Sequence, residues 1–101
     1  MKQIINGLTY NTETATLIGE WGNNLGYSDF RNISEGLYVT KKGRFFLAGE
    51  GGAMTRYSEP CGNLRSGGAG IIALDKQEAL EWCEQHLDAD KFSEYFDIEE
   101  A

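Results

Sequence analysis

Apolar and polar residues alternate most cleanly between Leu37 and Leu47. Leu37-Tyr38-Val39-Thr40 and Arg44-Phe45-Phe46-Leu47 are rich in β-branched and aromatic residues and flank Lys41-Lys42-Gly43. A glycine closing such a loop takes the left-handed conformation without steric cost, so the pattern predicts a β-hairpin. Its register sets Thr40 opposite Arg44, Val39 opposite Phe45, Tyr38 opposite Phe46 and Leu37 opposite Leu47. Side chains alternate across a strand, which puts Leu37, Val39, Phe45 and Leu47 on one core face. Tyr38 and Phe46 fall on the other face, expected to be covered by a helix or by the Gly-rich segment that follows.

Around this hairpin the remaining elements follow in chain order. Asn6-Gly7 between Lys2-Gln3-Ile4-Ile5 and Leu8-Thr9-Tyr10 signals a tight N-terminal hairpin, because a type I′ turn needs positive φ at both central residues. Asn11 then stands where an N-cap would, with Glu13 in the first turn and Ala15, Ile18 and Trp21 on one stripe, which predicts a helix over about 12–20. Residues 25–33 form a connector with Tyr27 and Phe30 as anchors. Residues 49–70 show no periodicity over some twenty positions, as functional loops often do. Ile71-Ile72-Ala73-Leu74 is a short strand. Asp75-Lys76-Gln77-Glu78 has capping-box spacing and starts a helix over 76–87, with Ala79, Leu80, Cys83 and Leu87 on one arc, Trp82 and His86 at its edge, and Glu78, Glu81, Glu84 and Asp88 opposite. Phe92, Tyr95 and Phe96 predict a short terminal helix over 91–96 that docks on the body. The expected fold is therefore α+β: one compact domain over 1–101, with an antiparallel sheet of the N-terminal hairpin, the central hairpin and one further strand, packed with two helices and a short C-terminal helix.

Charge changes the picture most. The net charge is −7. Residues 1–74 hold six acids and seven bases, whereas residues 75–101 hold ten acids and two bases, so the acidity belongs to the last quarter of the chain. A field of that sign repels nucleic acid and attracts basic surfaces. Carboxylates one helical turn, about 5.4 Å, apart imitate a row of phosphates closely enough to occupy a basic groove built for nucleic acid. That reading makes Glu78, Glu81, Glu84 and Asp88, extended by Glu94, Asp97, Glu99 and Glu100, a partner-binding surface. An alternative surface is the Gly-rich aromatic segment around Met54, Arg56 and Tyr57.

Other chemistries find less. Two cysteines, Cys61 and Cys83, suit a reducing cytoplasm and are too few for a stapled scaffold. Cys61 with His86 is the one nucleophile–base pairing available, but His86 and Cys83 lie on or beside the apolar arc of a helix, where packing is the default role. One histidine and two distant cysteines do not make a metal site. Gly49-Glu50-Gly51-Gly52 carries an acid where a phosphate would sit, and Gly67-Gly68-Ala69-Gly70 precedes a strand, so neither is a phosphate loop. Lys41, Lys42, Arg44, Arg56 and Arg65 with Tyr38, Phe46 and Tyr57 could compose a nucleic-acid face with stacking rings, a weak case beside so acidic a segment. No enzyme activity, cofactor, metal or membrane contact is expected.

The stretches Ile5-Asn6-Gly7-Leu8-Thr9-Tyr10-Asn11-Thr12-Glu13-Thr14-Ala15, Leu37 to Met54 and Ile71 to Trp82 resemble a family of small proteins carried by bacterial phages, plasmids and integrative elements, which includes anti-CRISPR proteins. The resemblance implies a stoichiometric inhibitor of a CRISPR-Cas effector in the bacterial host cell, without naming the effector; apart from the resemblance, the protein is expected to be a cytoplasmic monomer that binds no nucleic acid itself, with a type I complex expected over a type II nuclease. Such effectors hold their guide–target duplex in a positively charged channel. The acidic ridge fits that expectation as a DNA mimic; a protein docking site or an immunity-type module is the alternative.

Overall fold

The structure, a computed structural model, describes residues 1–26 and 28–87. Among them are eight strands and one helix: β1 (Lys2–Ile5), β2 (Leu8–Asn11), β3 (Thr16–Gly22), β4 (Ile33–Val39), β5 (Phe45–Gly51), β6 (Glu59–Cys61), β7 (Leu64–Ser66), β8 (Gly68–Leu74) and α1 (Lys76–His86). The centre is a four-stranded antiparallel sheet in the order β3-β4-β5-β8, and β1-β2 and β6-β7 are separate two-stranded sheets.

The central hairpin has the register its alternation dictates, with Leu37 opposite Leu47, Tyr38 opposite Phe46 and Val39 opposite Phe45. Gly43, at φ 83°, closes the loop and donates its N–H to Thr40 O at 2.9 Å. In the N-terminal hairpin Asn6 and Gly7 take φ 51° and 78°, the twist that matches two antiparallel strands. That hairpin does not join the central sheet; it lies across one face.

The expectation of two helices and a short third in an α+β fold fails: the described chain is mostly β. Most of the helix expected over about 12–20 is strand instead, since residues 16–20 belong to β3. Asn11 does act as a local cap, its Oδ1 accepting from Glu13 N at 2.9 Å and its carbonyl accepting from Ala15 N at 3.1 Å, but the turn stops there. Beyond it Thr16, Ile18 and Trp21 prefer a pleated surface, and Gly19 and Gly22 are poor helix residues. Pairing with β4 then decides the conformation, with a bulge between Leu17 and Gly19 that turns both Ile18 and Trp21 toward the helix side. Phe30, expected as an anchor, is 67% exposed. Tyr27 and the proposed 91–96 helix lie outside the described residues.

Two cores result. On one face α1 packs Ala79, Trp82 and Cys83 against Ile18, Leu37 and Leu47. On the other, Tyr10, Phe46 and Ile71 are buried together, with Tyr38 stacked on Phe46 at 5.2 Å and Tyr10 meeting its edge at 5.4 Å. The cover over Tyr38 and Phe46 is thus the N-terminal hairpin, and neither a helix nor the Gly-rich segment.

Candidate interaction surfaces

α1 starts as its sequence dictates. Asp75 Oδ1 accepts from Glu78 N at 2.8 Å and Glu78 Oε1 accepts from Asp75 N at 3.0 Å, a complete capping box. With Ala79, Trp82 and Cys83 turned inward, Glu78, Glu81 and Glu84 are all exposed on the other side. They are not equivalent. Glu78 is engaged in the cap and Glu81 accepts from Gln77 Nε2 at 3.3 Å, whereas the Glu84 carboxylate makes no hydrogen bond or ion pair among the described residues. A groove of about 170 Å³ separates this ridge from the Arg56 side chain and is floored by Leu47, Leu74 and Trp82, so a guanidinium borders the acids on one flank. Asp88, Glu94, Asp97, Glu99 and Glu100 lie outside the described residues.

A different carboxylate organises the interior. Glu35, on β4, shares the helix side of the sheet with Leu37 and Val39 and is only 4% exposed. Its Oε1 accepts from the indole Nε1 of Trp82 at 3.0 Å and its Oε2 from the Tyr57 hydroxyl at 2.7 Å, with Arg56 Nε 4.0 Å away. One side chain therefore ties β4, the loop after β5 and α1 together. Burial, then the bond to Glu35, pushes the Tyr57 phenol well above its ordinary 10.0. Gly49 makes the arrangement fit: it stands opposite Glu35, and a Cβ there would lie 2.6 Å from Ser34 O and 2.8 Å from the Tyr57 ring. Sequence reasoning missed Glu35, although a signal was present: in Ile33-Ser34-Glu35-Gly36-Leu37-Tyr38-Val39 it occupies a core-parity position of a strand.

This clamp redefines the Met54, Arg56 and Tyr57 surface. Tyr57 is 5% exposed and serves the interior, while Met54 is 71% exposed and the Arg56 side chain 50%. Met54 donates its N–H to Phe30 O at 2.8 Å, which holds two exposed apolar residues side by side. The stacking face drawn from Tyr38, Phe46 and Tyr57 does not exist, because Phe46 and Tyr57 are buried.

The other candidates separate. Cys61 is exposed on β6, while Cys83 is buried on the inner face of α1, its thiol pushed up to about 11 by burial and by Glu84. His86 is stacked on Trp21 at 4.1 Å and tilted against Trp82 at 4.9 Å, and burial holds its imidazole below the ordinary 6.5. Among the described residues no three His, Cys, Asp or Glu side chains converge as metal ligands, and no helix is long and apolar enough to cross a membrane. No family model, curated protein or solved structure matches this chain.

Proposed function

We propose that the protein is a non-enzymatic, stoichiometric inhibitor of a CRISPR-Cas effector, whose acidic helix face occupies a basic surface made for target DNA. The observation that carries this reading is the outward display of Glu78, Glu81 and Glu84 on a helix anchored by its cap and by Trp82. A charged row on a rigid element needs no ordering when it meets a basic channel, so little of the attraction is lost to entropy. The resemblance drawn from the sequence supplies the partner class.

The test is phage plaquing on matched CRISPR-active and CRISPR-null hosts across type I and type II systems, with and without the protein. Because Glu78 closes the capping box, the informative variant combines Glu78→Gln, which keeps the cap, with Glu81→Lys and Glu84→Lys. Plaquing restored only in one active host by the wild type, and lost in the variant at unchanged thermal stability, supports DNA mimicry. Full activity of the variant removes that mechanism.

A second reading is an interaction module using Met54 and Arg56, favoured by the exposed Met54–Phe30 pair. In that case Met54→Ala or Arg56→Ala abolishes partner binding, the acid variant does not, and binding is insensitive to salt.

A further inference from the structure

The central sheet has two edges of different character. At the β8 edge, Gln3 of β1 reaches over and accepts from Ile71 N at 3.2 Å. At the other edge, among the described residues, no strand pairs with the outer side of β3 and Thr16–Gly22 makes no backbone hydrogen bond outside its ladder with β4. Such a row of N–H and C=O groups is a template for one more strand.

Beside this edge, on the hairpin side of the sheet, lies a groove of about 570 Å³ lined in part by Glu20, Gly36, Tyr38, Ala48 and Glu50. Glu20 stands opposite Gly36 and Glu50 opposite Ser34, so both carboxylates rise on this side. Both are exposed, and among the described residues neither carboxylate takes part in an ion pair or hydrogen bond. Leu17, 40% exposed and opposite Tyr38, continues the same strip toward the start of β3.

The charge decides between occupants. A second copy added here would bring two Glu20 side chains to one seam between chains of net charge −7, and like charges across neighbouring strands are destabilising. An extended segment that sets an apolar side chain over Leu17 and a lysine or arginine between Glu20 and Glu50 satisfies backbone, apolar contact and charge together. We propose that the β3 edge and the Glu20–Glu50 groove bind an extended basic segment of a partner protein by strand addition. The α1 acids lie across the opposite face of the sheet, so this surface stands or falls independently of the helix ridge.

The test uses a capped nine-residue probe peptide, Thr-Val-Thr-Lys-Thr-Val-Thr-Lys-Thr, which carries Val and Lys on one face. Its controls are a version with Glu for Lys and a version N-methylated at every residue, which keeps the charge and removes the N–H donors. Backbone amide shifts and hydrogen exchange of the protein report the contact. The basic peptide is expected to shift the amides of residues 16–22 and slow their exchange, the Glu peptide and the N-methylated peptide to do neither. Glu20→Lys with Glu50→Lys, both exposed and harmless to the core, should weaken binding about tenfold or more. Failure of the basic peptide to bind at millimolar concentration, equal binding by the N-methylated peptide, or shifts confined to α1 would each overturn the proposal.

Discussion

On the hairpin side of the central sheet, Phe46 is sealed between Tyr10 and Tyr38; on the helix side, the carboxylate of Glu35 is enclosed between Tyr57 and Trp82. Both faces exclude water, but they do so with different consequences. Apolar area and ring contacts hold the N-terminal hairpin by burial, which is largely indifferent to small rotations. A buried acceptor with two donors fixes where α1 and the loop after β5 must sit, because any other placement strands a polar group. The helix side is therefore the one whose geometry is specified, and it is the side that presents Glu78, Glu81, Glu84 and Arg56 to the outside.

The largest effect expected is on the apolar face. Phe46→Ala should cost about 3–5 kcal/mol in urea unfolding, the usual range for a fully buried ring. Glu35→Ala should cost about 2–4 kcal/mol, since it leaves the Trp82 N–H and the Tyr57 hydroxyl buried without an acceptor. The conservative changes sharpen the contrast. Phe46→Leu should recover most of the loss, whereas Glu35→Leu, with similar bulk and no acceptor, should recover little. A Glu35→Leu protein as stable as the wild type would mean that the carboxylate does not hold the helix.

Cysteine reactivity probes the same difference at smaller scale. Cys61 is exposed and Cys83 is buried on the inner face of α1, with a thiol pushed up to about 11 from its ordinary 9.0. At neutral pH that shift alone lowers the thiolate fraction about a hundredfold. Native protein should take up one equivalent of iodoacetamide at Cys61, with Cys83 reacting only on unfolding. Glu35→Ala, which loosens Trp82 beside it, should speed Cys83 labelling; Phe46→Leu should not. Equal labelling of both cysteines in the wild type would contradict the closed helix face.

How much of this could be read from the chain depends on whether the cause was local. The 37–47 hairpin and the α1 capping box were legible because turn chemistry and alternation act within a few residues: Gly43 closes one and Asp75 with Glu78 the other. The stretch over 12–20 reads as a helix because Asn11 starts a turn that looks like a helix entrance, while the partner strand that overrides it from Thr16 onward is distant in sequence. The β6–β7 hairpin leaves no periodic signal in the sequence because it is exposed throughout and so carries no burial pattern. Of the candidate sites, the exposure of Glu78, Glu81 and Glu84 followed from the helical wheel. The role of Tyr57 did not, because it depends on Gly49 leaving room for a ring to reach Glu35, a contact between three separate elements.

The smallest expected effect is a pH dependence confined to the helix side. His86 is the one histidine of the chain, and burial against Trp21 and Trp82 outweighs the pull of Glu35 to hold its imidazole below 6.5. The folded protein then binds fewer protons at this site than the unfolded chain. By linkage the contribution to stability is complete above 6.5 and declines as pH falls from there through the folded value. Asp29, held below 3.8 by Arg31, acts in a separate window, its contribution present above 3.8 and lost only as pH falls further. Thermal midpoints measured between roughly pH 8 and pH 5 should therefore be flat and then decline, in the range where histidine alone among ordinary side chains titrates. His86→Phe keeps a flat ring between the two indoles and should abolish the decline, while Phe46→Leu, on the hairpin side, should lower every midpoint and leave the slope as it is. A slope that survives His86→Phe would assign the titration to some other group and remove the imidazole from the account of how the helix face is held.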